Sequence, residues 1–144
     1  MSSIARPRIV YLTRKEQFSA AHCLSSPQKT KEENAKLYGK CINEHGHNYK
    51  IEVTVKGEID PVTGMVMNLV DLKLIIKEKV LDNLDHKFLD KDVPFFQTRV
   101  SSTENIAVYV WDQLANDPRI TSSAQLHEVI VHETDKQYAV IRDE

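Results

Sequence analysis

Two stretches in the first half of the chain alternate apolar and polar residues with a period of two, the spacing of a strand with one buried face. From Ile9 to Cys23 the even positions Val10, Leu12, Phe18, Ala20 and His22 mark that face, around a charged middle. From His45 to Gly57 the odd positions His45, His47, Tyr49, Ile51, Val53 and Val55 alternate with Asn48, Lys50, Glu52, Thr54 and Lys56, which predicts a second strand. Between them the polar run Ser25 to Lys36 reads as a loop with a helical turn, ending near Tyr38-Gly39-Lys40-Cys41. Asp60-Pro61-Val62-Thr63-Gly64 has turn chemistry, with Pro setting φ and Gly permitting a left-handed residue, and Met65 to Asn68 reads as extended chain.

The period then lengthens. Leu69, Leu72, Ile75, Ile76 and Val80 recur at three and four residues, predicting an amphipathic helix that ends before Leu84-Asp85-His86. A second helix begins at about Ser102, where Ser101 and Glu104 fit a capping box and Ile106, Val110 and Leu114 line one face. The chain closes as a hairpin, Leu126 to Glu133 and Tyr138 to Ile141 around a turn at Asp135-Lys136. The order ββααββ predicts an α+β domain, a four-stranded sheet with two helices on one face. The other face is then solvated or shared with another copy, which leaves oligomerisation open.

Length and composition narrow the picture. The 144 residues, 41% hydrophobic, suit one domain over residues 1–144 with a core that needs no disulfide. A net charge of -2, from 19 Lys and Arg against 21 Asp and Glu, provides no positive field for nucleic acid. No apolar run approaches a membrane span and Met1 to Arg8 lacks the pattern of a leader, so a cytoplasmic location without membrane association is expected. Cys23 and Cys41 are then expected as thiols.

The residues with chemistry cluster in the strands and the bends. Side chains two apart on a strand share a face, about 6.5–7 Å apart at Cα, so His45 and His47 can close on one ion. His22 stands near the end of the neighbouring strand, and three imidazoles with a fourth position open is an arrangement of catalytic zinc. Gly46 between the pair leaves room for the metal in this reading. Cys41, four residues before His45, is a candidate fourth ligand, and spacing alone leaves a closed structural Cys/His₃ site open. Asp85-His86 pairs a carboxylate with an imidazole in the manner of a general base, or forms a solvated corner after a helix. Glu133 lies on the face of Val129 and Val131, where a charge needs a partner, and its carboxylate is suited to two parallel hydrogen bonds. His127 and His132 read as packed or surface strand residues, Cys23 as a small buried one, and Trp111 and the tyrosines as core.

Together these pieces resemble the 6-pyruvoyl-tetrahydropterin synthase family. The resemblance runs from Phe18 to Tyr138 and is carried by FSAAH (18–22), GKC (39–41), HGHNYK (45–50), GEIDPVTGMVMNL (57–69), LDHKFLDKDVPFF (84–96), SSTEN (101–105) and HET (132–134). It implies a ββααββ tunnelling fold, in which four-stranded antiparallel sheets of three subunits join into a barrel and two trimers stack into a homohexamer. It further implies zinc on His22, His45 and His47, a catalytic set of Cys41, Asp85 and His86, a pterin anchor at Glu133, and a pocket lined by Thr103 and Glu104. The implied reaction converts 7,8-dihydroneopterin triphosphate to 6-pyruvoyl-tetrahydropterin with loss of triphosphate, in tetrahydrobiopterin biosynthesis, with magnesium accompanying the triphosphate. The short interval from Cys41 to His45 instead resembles 6-carboxy-tetrahydropterin synthase of queuosine-type biosynthesis, while DPVTGMVMNL and LDKDVPFF resemble the animal pyruvoyl type. A non-catalytic zinc-stabilised binding module is the third reading.

Overall fold

The computed structural model describes residues 8–144. Positions 1–7, where the absence of a leader was expected, lie outside the described residues. Strands β1 (Ile9–His22) and β2 (His45–Glu58) form an antiparallel ladder in unbroken register from Ile9 opposite Glu58 to His22 opposite His45. The two alternating patterns therefore stack, even positions of β1 and odd positions of β2 on one face. After helix α1 (Lys31–Tyr38) and the turn at Asp60, helix α2 (Leu69–Ile76) runs through a π-helical turn (Lys77–Leu81) into α3 (Asp82–Leu84). The short strand β3 (Lys87–Phe88) and helix α4 (Leu89–Asp92) follow, then α5 (Thr103–Leu114), α6 (Pro118–Thr121), and the hairpin of β4 (Gln125–Thr134) and β5 (Gln137–Arg142).

Among the described residues the sheet has five strands, ordered β3-β1-β2-β4-β5, and does not close into a barrel within the chain. This corrects the four-stranded antiparallel expectation. The added strand, β3, pairs parallel to Ala20 and Ala21, and the His86 N–H donates to the Ser19 carbonyl at 2.6 Å as the chain passes that edge. Two residues are too few to show an alternating pattern. The helical content is also greater than expected. In the polar run, Thr30 caps α1 through a reciprocal box with Glu33, and Met65 to Asn68 is bent rather than extended, with Val66 and Met67 buried.

The helices cover one face. Phe18, Tyr49, Ile51, Val53, Val55, Val129 and Val131 from the sheet meet Leu72, Ile75, Ile76, Val80 and Leu84 from the α2–α3 segment and Ile106, Val110 and Leu114 from α5. Burying each large apolar side chain stabilises the fold by about 1.5–3 kcal/mol. On the opposite face the alternate positions are polar and pair across the strands: Thr13 with Thr54 at 2.7 Å, Ser19 with Asn48 at 2.6 Å, and Glu52 with His132 at 2.7 Å. Tyr11 and Tyr138, expected in the core, are 53% and 60% exposed. Asp60 organises its turn as expected: its Oδ1 accepts the Val62 N–H at 2.7 Å, and Gly64 takes φ 73°. Among the described residues no helix is long and apolar enough to cross a membrane.

Ser101 does not cap α5. The N-cap is Ser102, whose hydroxyl accepts the Asn105 N–H at 3.2 Å. Ser101 is drawn into the interior by a different set of partners, which are those of the metal-capable histidines.

Candidate metal centre and active site

His22 opposite His45, and His47 opposite Ala20, bring three imidazoles to one end of the helix-covered face. Ring centroids lie 4.6 Å apart for His22 and His45, 5.2 Å for His22 and His47, and 5.0 Å for His45 and His47. One ligand atom from each comes within 4.8 Å of the other two. Main-chain carbonyls fix two of the rings. His22 Nδ1 bonds Ser101 O at 2.6 Å and His45 Nδ1 bonds Asn43 O at 2.7 Å. A carbonyl only accepts, so each Nδ1 carries the proton and each Nε2 presents its lone pair.

The Nε2 atoms of His22 and His47 are buried without a hydrogen-bond partner. Leaving such an atom unsatisfied costs about 1–3 kcal/mol. Burial lowers the pKa of His22, and the charges of His45 and His47 act in the same direction against the Ser101 carbonyl. Burial likewise lowers His47, against the pull of Glu133. Both rings are thereby held as neutral imidazole, the form that ligates a metal. Three convergent nitrogens, two of them orphaned and buried, could hold a metal ion and are compatible with zinc.

Cys41 is not part of this group. It lies half-buried in the 3-10 turn Gly39–Ile42, held from its main chain, where its carbonyl accepts the Leu24 N–H at 2.7 Å. Gly46 serves a purpose other than the expected one. It alternates with the two histidines and so faces away from them, where a Cβ would stand 3.3 Å from the Ala20 carbonyl. Its missing side chain eases the approach of β1 to β2 and does not make room for a metal.

Glu133 stands beside the trio, its Oε1 4.0 Å from His47 Nε2. Thr103 Oγ1 donates to Oε2 at 2.7 Å and Gln137 Nε2 to Oε1 at 2.9 Å. Burial pushes the carboxyl pKa up, but the hydrogen bonds from Thr103 and Gln137 and the nearby imidazoles together outweigh it, so the net shift is downward and the group is ionised. Thr103, Glu104 and Glu133 line one groove of about 550 Å³ with Leu24, Ser102 and Gln137.

Asp85 and His86 form a pair elsewhere. Asp85 Oδ2 lies 3.0 Å from His86 Nδ1, and its other oxygen accepts the Ser19 N–H at 2.9 Å. The Ser19 bond, then those from His86, hold the Asp85 carboxyl below its usual range. His86 sits at φ 61° with its side chain 83% exposed, opening on a cleft of about 600 Å³ shared with Ser19 and Asn48. Ser19 and Asn48 belong to the face opposite the trio, while His47 of the trio also lines this cleft. Within one chain, then, the three histidines, Glu133 and Thr103 gather, while the Cys41 thiol makes no hydrogen bond to Asp85 or His86.

Sequence patterns missed the groups that hold the site in place. Ser101 is fully buried against His22 and Asp90, yet read as a helix cap. Gln137, the first residue of the hairpin's returning strand, carries no motif. His127 and His132 pair with Asp143 at 2.9 Å and Glu52 at 2.7 Å, remote from the trio. Cys23 is half-buried, and burial pushes its thiol pKa up.

The sequence profile for 6-pyruvoyl tetrahydropterin synthase matches residues 11–144. A guppy (Poecilia reticulata) protein called 6-pyruvoyl tetrahydrobiopterin synthase is 55% identical over 139 residues, covering 95% of this chain and 92% of its own length. The human protein of the same name is 52% identical over 135 residues, covering 92% and 91%. The solved structure of 6-pyruvoyl tetrahydropterin synthase from Caenorhabditis elegans superposes with a TM-score of 0.88 at 41% identity, covering 98% of this chain and all of that one. The chain belongs to the 6-pyruvoyl tetrahydropterin synthase family.

Proposed function

We propose that the chain is a zinc-dependent lyase of tetrahydrobiopterin biosynthesis that converts 7,8-dihydroneopterin triphosphate to 6-pyruvoyl-tetrahydropterin and releases triphosphate. The observation that carries the reading is the trio His22, His45 and His47 with orphaned, neutral nitrogens beside the ionised Glu133. His22, His45 and His47 would hold zinc there, and the ion would supply Lewis acidity toward the substrate's side-chain oxygens and the adjacent C–H bonds. Glu133, kept ionised and oriented by Thr103 and Gln137, accepts two hydrogen bonds from the N–H edge of the pterin. Thr103 and Glu104 line the pocket for the ring.

Proton movement falls to Cys41, Asp85 and His86. Asp85 orients the His86 imidazole and stabilises its charged form. Because the Cys41 thiol makes no hydrogen bond to Asp85 or His86 within one chain, a neighbouring copy is the natural source of the Asp85 and His86 that meet Cys41, with the sheets of three chains joined into a barrel and two trimers stacked as a homohexamer. The single domain spans residues 1–144 and works in the cytoplasm, with magnesium accompanying the triphosphate.

One observation favours a second reading. Only Ile42, Asn43 and Glu44 separate Cys41 from His45, an interval that resembles 6-carboxy-tetrahydropterin synthase. Incubating the zinc-loaded protein with dihydroneopterin triphosphate separates the two. The pyruvoyl product with released triphosphate is expected; a 6-carboxy product with acetaldehyde as the main outcome supports the second reading. A zinc-stabilised binding module without turnover is distinguished by chelation, which would then unfold the chain, whereas a catalytic centre loses activity and keeps most of its fold.

A further inference from the structure

We propose that Asp90 and Ser101 are positioning residues for His22, fixing the ring that they do not themselves complete. The proposal rests on reading the histidine trio as a metal centre. Ser101, buried just before α5, works in two directions: its carbonyl accepts from His22 Nδ1 at 2.6 Å, and its hydroxyl donates to Asp90 Oδ1 at 2.9 Å. The same Asp90 oxygen accepts the peptide N–H of Cys23, the residue after His22, at 3.1 Å. These bonds close a ring. His22 is held through its backbone by way of Cys23 and through its imidazole by way of Ser101, and both holds converge on one carboxylate of α4.

The consequence for a ligand is specific. An imidazole presents Nε2 as a lone pair only while Nδ1 keeps its proton on an acceptor, and the acceptor's own position sets the ring's orientation. Ser101 precedes the N-cap, so its peptide is not fixed by the helical ladder of α5; Asp90 fastens its side chain, beside the Asn105 Nδ2 bond to the Val100 carbonyl at 2.9 Å. The arrangement reaches further, because two residues on, Thr103 donates to Glu133 at 2.7 Å. The segment 101–103 thus holds a ligand of the trio and the carboxylate beside it, and Asp90 sets where that segment lies.

Titration of Co²⁺ and Zn²⁺ against a chromophoric chelator tests this on the wild type, Ser101→Ala, Asp90→Ala, Asp90→Asn and Asp92→Ala. Ser101→Ala keeps the peptide carbonyl on His22 and removes the hydroxyl's link to Asp90, together with its longer contacts to the Cys23 carbonyl at 3.3 Å and His22 Nδ1 at 3.4 Å. It and Asp90→Ala are expected to weaken metal binding by about 10–100-fold, the usual worth of an outer partner of a ligand, and to alter the visible Co²⁺ bands. Asp90→Asn, whose amide oxygen still accepts both hydrogen bonds, is expected to recover most of the loss. Asp92, which holds the Phe88 N–H at 2.9 Å in the same turn but does not reach His22, should be replaceable by Ala without weakening the metal. Circular dichroism of the metal-free variants shows which are folded, and if Asp90→Ala is not, Ser101→Ala decides. A folded Ser101→Ala protein with wild-type affinity and wild-type Co²⁺ bands overturns the proposal, as does an Asp92→Ala protein weakened equally. A wild-type chain that takes up no metal overturns the metal-centre reading and this proposal with it.

Discussion

The two ends of the β1–β2 ladder share one backbone geometry and differ in what they do with it. At one end Val53 and Val55 are fully buried in an apolar core, and every second residue contributes area removed from water. Toward the other end the same alternation continues through Ile51 and Tyr49 but then delivers His47 and His45, with His22 across the ladder. There the buried face keeps orphaned polar atoms: a nitrogen on His22, a nitrogen on His47 and the hydroxyl of Tyr49. The apolar end stabilises the chain, and the histidine end costs it stability that a ligand would restore. A pattern that specifies which face is buried does not specify what the burial is for; the unsatisfied groups do.

The sharpest way to break this contrast is His47→Ala. With two imidazoles remaining, the chain should lose most of its bound metal and its turnover, while the apolar end keeps the fold intact. Near-stoichiometric zinc in the purified variant would show that the ligand set is misassigned. Next in size is Cys41→Ala. If the thiol moves a proton, turnover should fall by about 10²–10⁴-fold with zinc and pterin binding nearly unchanged, and adding Asp85→Asn should cost little more. Zinc loss in parallel with activity would instead make Cys41 a ligand.

On the apolar stretch that runs between the two ends, Ile51→Ala should destabilise the fold by about 2–5 kcal/mol in denaturant unfolding and leave metal content untouched. Metal loss without destabilisation would erase the distinction between the two ends. The smallest effect lies at the ladder's edge. Asp85 is held below its usual range chiefly by the Ser19 N–H and then by His86, so its folded value is below its unfolded one. Its contribution is complete above the unfolded value of about 3.9 and is lost as pH falls through the lowered folded value. The side chain is 43% exposed, so solvent screening keeps the effect small. Asp85→Asn should slightly flatten the fall of stability on acidification, and parallel acid curves for the two proteins would mean that the pair contributes nothing.

Period-two alternation was enough to bring the histidine face into view, because burial and strand geometry are both local properties of β1, β2 and the β4–β5 hairpin. Other features escaped for identifiable reasons. β3 has two residues and pairs only because the chain after α3 passes the β1 edge. Either of the adjacent serines at 101 and 102 suits an N-cap, the Glu104 spacing favours Ser101, and the choice of Ser102 is made by Asp90, eleven residues from Ser101 in sequence, and by His22 across the fold, which hold Ser101 inside. Gly46 was legible as a glycine on a strand but not as a close approach, since the Ala20 carbonyl that it meets lies on another strand. One missed signal was local: Thr30 and Glu33 form a capping box in a stretch read as mostly loop.

X-ray absorption at the zinc edge tests the open three-nitrogen centre most directly. The account predicts three imidazole nitrogens at about 2.0–2.1 Å, an oxygen in the fourth position and no sulfur shell. A sulfur scatterer at about 2.3 Å would place Cys41 on the metal, close the site, and contradict the separation of ligand and proton-transfer roles on which the proposed reaction depends.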